Sequence, residues 1–219
     1  MTRPDNLEKR RYDSSGRRAA AARRQLAVVA AARDAFERRG WAAVTVREIG
    51  KAAGVSQKTI EAVFGTKAAL LQGAVAYAIR GDLEALPIAG RESVRMMEGA
   101  DDAAEMLRLH ARHLRAINAR SARIASVVEQ AVAADPAVET LWRQMNDNRA
   151  YGVGWATDTL LRKRGRRARL RRDHVESIFW VALDWGTYRT LTEHAGLDDN
   201  AYERWLRSYY AASLLPARR

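Results

Sequence analysis

The stretch Thr45–Phe64, TVREIGKAAGVSQKTIEAVF, restricts the fold more than any other part of this 219-residue chain. Thr45 followed three residues on by Glu48 is a capping box, in which each side chain can satisfy the other residue's backbone N–H at a helix start. Val46, Ile49 and Ala53 recur at helical spacing and supply a buried face. Gly54 is expected to end that helix, because glycine turns into the left-handed region at no steric cost. Ser56 can cap a second short helix, in which Ile60 and Phe64 face inward. Val55 can fill the crevice between the two helices. Gln57, Lys58, Glu61 and Ala62 are left pointing outward. Two short helices joined by a sharp turn, the second with a polar outer face, meet the requirements for entering a DNA major groove.

The remainder predicts helix nearly throughout. Alanine, leucine and arginine are abundant, and no apolar/polar alternation bounded by turn residues argues for a strand. The class expected is all-α. Residues 1–22 carry no periodic apolar pattern and are expected to be a disordered basic arm. A first helix over 23–39 buries Val28, Val29, Ala32, Ala35 and Phe36 and stops at Gly40. Further helices are expected over 66–80 and near 101–118, 120–133, 137–163, 173–194 and 200–214. Asp135–Pro136 supplies a cap and first-turn pair for the fourth of these. A helix-turn-helix domain over 23–68 (motif 45–64) and a helical domain over 69–219 follow from this division.

Charge is distributed unevenly. Residues 1–80 hold 16 Lys/Arg against 7 Asp/Glu, and so about +9 of the net +12. Eight positive charges and no negative one fall in Arg162–Arg172, a run expected to be a solvated connector. Such asymmetry suits a polyanion-binding N-terminal unit joined to a domain of lower charge. The absence of cysteine excludes disulfides, thiol chemistry and cysteine zinc sites. No apolar stretch reaches membrane-spanning length and no signal-peptide pattern opens the chain, so a soluble cytoplasmic protein is expected. No nucleophile motif, phosphate-cradling glycine loop or acid–base pair points to an enzyme, and no cofactor is implied. His110 and His113 with Glu105 are spaced poorly for a metal; none is expected, and both histidines are read as exposed.

The run Val28–Leu71 closely resembles the DNA-binding domain of TetR-family regulators. Phe36, Gly40, Thr45, Val46, Ile49, Ala53, Gly54, Val55, Ser56, Thr59, Ile60, Phe64, Thr66, Lys67, Leu70 and Leu71 fall on that family's pattern without a gap. Two positions depart from it. Glu61 stands where the family usually has a phosphate-contacting tyrosine, and Val63 where an aromatic or histidine is usual. A carboxylate near phosphates repels them unless it pairs with a neighbour such as Lys58, and the tyrosine's role is not carried over.

The resemblance implies a homodimeric regulator, most simply a repressor released from a palindromic double-stranded DNA operator by a small-molecule effector. Gln57 and Lys58 suit base edges, with Ala62 beside them on the exposed face. Thr45, Arg47, Ser56, Thr59 and Lys67 suit phosphates. Eleven of the sixteen aromatic residues lie after position 140, and an effector pocket is implied there. A small apolar, aromatic or cationic ligand lined by Met106, Met145, Tyr151 and Trp155 is expected. Apolar residues on two faces of the predicted 173–194 helix point to a dimer interface. Ile178, Phe179, Val181, Ala182 and Trp185, with Trp205 and Tyr209 from the next helix, are its expected members.

Overall fold

The computed structural model describes residues 5–82 and 88–217, with side chains from Gly16 onward except those of Arg18 and Ala89. Ten α-helices form among them: α1 Asp5–Ala43, α2 Val46–Ala53, α3 Gln57–Phe64, α4 Lys67–Arg80, α5 Glu92–Gly99, α6 Ala103–Val132, α7 Pro136–Arg162, α8 Arg172–Ala182, α9 Trp185–Arg189 and α10 Asp199–Leu214. A short 3-10 turn, Ile88–Gly90, precedes α5, and a π-helical turn, Thr190–His194, continues α9. No strand forms among the described residues; Asp102 and Arg164 make a single isolated bridge. No single described helix is long and apolar enough to cross a membrane.

The chain divides into two compact units, Met1–Tyr77 and Ala78–Arg219. That division falls inside α4, not at residue 68/69. The first unit closes its core with α4: Leu70, Leu71 and Ala74 are fully buried alongside Phe36, Ile49 and Ile60. Gly73 lets α4 approach closely, since a Cβ there would meet the Phe64 ring at 3.3 Å and Val29 at 3.7 Å. Residues 5–22, expected to be disordered, are instead the start of α1, which Gly40 breaks at φ 75°, ψ 174°. Alanine-rich sequence favours helix even without a buried stripe. Residues 1–4 of that arm lie outside the described residues.

In the second unit, α6 and α7 are the long elements. The two helices expected on either side of position 119 are one, α6, because nothing between them stops a helix; Ser121 turns its hydroxyl back to the Ile117 carbonyl (2.9 Å) within it. The helix expected over 173–194 is broken after Ala182. Asp184 caps a new helix there, accepting from the Thr187 N–H at 2.7 Å, which is ordinary N-cap chemistry. Helix α5 is an element the sequence pattern did not indicate. His110 is fully buried rather than exposed: its Nδ1 lies 2.7 Å from the Tyr210 hydroxyl, with Phe179 edge-on at 5.1 Å. Asn118 donates to the Tyr202 hydroxyl (3.1 Å), Trp185 Nε1 to the Ser121 hydroxyl (3.0 Å), and the Tyr188 hydroxyl to Asp199 (2.6 Å). These bonds tie α6, α9 and α10 into one core.

The basic run 162–172 is not a free connector. Lys163 Nζ donates to the Glu98 and Ala100 carbonyls at the end of α5 (2.5 and 2.7 Å). Arg167 donates to the Ala212 and Leu215 carbonyls at the end of α10 (2.5 and 3.3 Å). Arg172 pairs with Asp158 and Glu176. Helix C-termini leave carbonyls without intrahelical partners, and cations there also meet the negative end of the dipole.

Candidate nucleic-acid interface

The capping box at the start of α2 is complete. The Glu48 N–H donates to the Thr45 hydroxyl oxygen at 3.2 Å, and Glu48 Oε2 accepts from the Thr45 N–H (2.9 Å) and hydroxyl (2.8 Å). Arg39 reaches the other carboxylate oxygen at 3.0 Å and the Ala43 carbonyl at 2.5 Å, joining the end of α1 to α2. The Thr45 bonds first, then Arg39, hold the Glu48 pKa down at about 2.

Gly54 ends α2 in the left-handed region (φ 69°, ψ 28°). A second glycine, not singled out in the motif, is as necessary. A Cβ on Gly50 would lie 2.7 Å from the Val55 carbonyl oxygen, so only glycine lets the turn fold back over α2. Its signal was the small residue one position after Ile49, on the side the chain must recross. Ser56 caps α3, accepting from the Thr59 N–H at 3.1 Å, and the two hydroxyls lie 2.8 Å apart. Ile60 anchors α3 in the core at 2% exposure.

What remains outside is polar. Thr45, Arg47, Ser56, Gln57, Lys58, Thr59 and Ala62 are all exposed. Arg47 and Lys58 have no hydrogen-bonding or ionic partner among the described residues. Glu61 is paired, though with Gln57 (Nε2 to Oε1, 2.7 Å) and not with Lys58. Val63 is 58% exposed, an apolar patch beside the polar row. Lys67 differs from the others: it is half-buried, donates to the Trp41 carbonyl at 2.5 Å and stands 4.2 Å from the Trp41 ring centroid. That cation–π contact and hydrogen bond fix the start of α4 to the last turn of α1.

Met106 and Met145 are buried, Tyr151 is 67% exposed, and Trp155 donates to Glu98 at 3.0 Å. A pocket of about 290 Å³ lies instead where the last turn of α4, the 3-10 turn, α5 and the first half of α6 meet, and none of the four lines it. Of the expected interface residues, Ile178, Phe179, Ala182 and Trp185 are buried in their own unit. Val181 is 41% exposed beside Trp180 at 38%, while Trp205 and Tyr209 are half-buried and stacked at 5.3 Å.

A capped, glycine-turned helix pair with an exposed polar second helix, closed by two flanking helices, defines a helix-turn-helix DNA-binding protein. Residues 28–74 match the family model described as bacterial regulatory proteins, tetR family, a match that spans the helix-turn-helix unit. No curated protein matches the sequence. Solved structures share its fold. One described as a TetR-family transcriptional regulator from Rhodococcus sp. aligns over 88% of this chain and 99% of its own, with TM-score 0.64 and 14% identity. A regulator from Saccharomonospora viridis in complex with choline aligns over 91% and 100%, with TM-score 0.65 and 17% identity. At such identities the likeness is one of fold.

Proposed function

We propose that the protein is a homodimeric repressor that leaves its operator when a small molecule binds the second unit. One observation carries the DNA side: Arg47 and Lys58 are exposed and uncommitted on a motif whose backbone is otherwise fully capped. In this reading Lys58 and Gln57 meet base edges, with Ala62 lining the same face. Thr45, Arg47, Ser56 and Thr59 hold phosphates, and Lys67 adds charge while bracing the turn at Trp41. The dimer is formed through α8 and α10, where Trp180 and Val181 offer apolar surface and Trp205 and Tyr209 adjoin. The operator is then a palindrome, with reading helices about 34–36 Å apart.

The choline complex of the Saccharomonospora viridis regulator supports a small-molecule site in this fold. An effector shifts the DNA equilibrium only by its differential affinity for the two states. A coupling of about 1–3 kcal/mol corresponds to release by about 5–150-fold. The protein works in the cytoplasm, where both operator and effector are found.

Selection of bound fragments from random DNA tests this function. A palindromic motif, lost when Lys58 is replaced by alanine, is expected. Binding of all sequences with equal affinity would replace the repressor reading with that of a sequence-blind architectural protein.

A further inference from the structure

Helix α3 divides lengthwise into two unlike halves. Successive helical residues are turned by about 100°, and Ile60, at 2% exposure, marks the inward direction. Going one way round from Ile60 come Gln57, Glu61 and Lys58; going the other come Val63, Thr59 and Ala62. All six are exposed. The first three are polar, with Gln57 and Glu61 bonded to each other at 2.7 Å. The second three offer methyl groups and a single polar group, the Thr59 hydroxyl, which lies 2.8 Å from that of Ser56 at the helix cap. Single apolar residues are common on protein surfaces and call for no explanation. Val63 is not single: at 58% exposure it shares one side of an eight-residue helix with Ala62 and Thr59. Ala62 in turn stands beside Lys58, almost opposite Ile60 and so on the outermost line of the helix.

We infer that Ala62 and Val63 read the 5-methyl group of a thymine, fixing one A·T pair in each half of the operator. That methyl is the one the four unmodified bases present in the major groove; the remaining base-edge groups are hydrogen-bond donors and acceptors. A side chain with neither donor nor acceptor finds its match there. Laid instead against guanine N7 and O6 or adenine N7, Val63 would take water from acceptors and return no bond, which penalises those bases. Lys58, adjoining Ala62 on the outer line, suits a guanine, so the two halves of α3 select bases by different chemistry. The inference rests on the reading of α3 as the base-contacting helix, and names one base it selects.

Removing the methyl alone tests it. A motif is first selected from random DNA with the full chain, and each thymine of one half-site is then replaced in turn by deoxyuridine, which pairs as thymine does. In anisotropy titrations one such replacement is expected to weaken binding about four-fold, the factor for one buried methyl group. That penalty should shrink in Val63→Thr, which keeps the shape and exchanges a methyl for a hydroxyl, and vanish when Ala62→Ser is added. A motif without thymine, or equal affinity for thymine and deoxyuridine at every position, would overturn the inference while leaving base reading by Lys58 standing. So would a penalty that survives in the double variant. Val63→Thr weakening thymine and deoxyuridine duplexes alike would also overturn it, and would place Val63 against the sugar–phosphate backbone. A selection that returns no motif would sink the operator reading itself, and this inference with it.

Discussion

On the outer face of α3 a carboxylate is held in place by its own neighbour. The Gln57–Glu61 bond occupies one oxygen of Glu61 and leaves its charge intact, facing the side on which phosphates would approach. Replacing Glu61 with glutamine removes that repulsion and keeps the side-chain shape. It is expected to tighten binding to all DNA sequences, more at low salt than at high, in an anisotropy titration across salt concentrations. An unchanged affinity at every salt would mean that Glu61 stays clear of the phosphates. Lys58→Ala should act differently, relaxing preference at particular base positions at a cost of about 1–3 kcal/mol for a good base contact.

Burial sets the acid limit of the fold through two imidazoles. Desolvation, then His113, pushes His110 down to about 3, and His113 itself is held at about 4. In the unfolded chain both return to the ordinary 6.5. As pH falls below 6.5 the unfolded state takes up these protons first, so stability falls between that value and about 4 to 3. Thermal unfolding followed from pH 7 to 5 should show a declining midpoint. His110→Gln should flatten the decline by at most about 1.4 kcal/mol per pH unit. A slope unaltered by that substitution would place the acid sensitivity elsewhere.

At the scale of elements, what could be read from sequence was what lies within a few residues of itself. The Thr45–Glu48 box, the Gly54 stop and the Ser56 cap each close over three or four positions, and each is present as read. Gly50 left only a weak mark, a small residue after Ile49, because its constraint is a carbonyl five residues ahead, brought back only by the turn. It makes a sharp prediction: Gly50→Ala pushes a methyl carbon against the Val55 carbonyl and should destabilise the protein by about 1–3 kcal/mol, read from denaturant unfolding. Thr45→Ala loses the cap alone, at about 1 kcal/mol. The order of the two is the test. His110 was misread for a related reason, since its partner Tyr210 lies a hundred residues away. The pocket at the end of α4 was hidden because lining residues such as Arg80, Arg91 and Arg120 look like ordinary surface charges until helix packing brings them together. The basic run 162–172 reads as a solvated connector because carbonyls at helix ends leave no mark in a sequence.

For the whole molecule, the charge that marks the chain as basic serves two purposes. In the first unit Arg47 and Lys58 stand free, whereas Lys163, Arg167 and Arg172 are spent on helix ends and acids. The salt dependence of DNA binding should therefore reflect only a few N-terminal cations, and Arg167→Ala should leave its slope unchanged while lowering thermal stability. Self-association is testable in the same preparation. Sedimentation at micromolar concentration is expected to give twice 24.5 kDa, and Val181→Glu should shift it toward a single chain. A monomer before substitution would remove α8 as the contact.

The bond between the middle of the sequence and its final helix sets an order on biosynthesis. The Arg167 backbone N–H donates to the Leu214 carbonyl (2.8 Å), and α6 meets α10 through Asn118–Tyr202 and His110–Tyr210. The second unit cannot close until residues 199–215 have left the ribosome. The first unit has its whole core, Val28 to Val75, in hand more than a hundred residues earlier. Domains fold as units, N-terminal first, as the chain emerges. A nascent chain stalled near residue 150 would thus present a finished helix-turn-helix on an unfinished body, able to meet DNA phosphates before the second unit has closed.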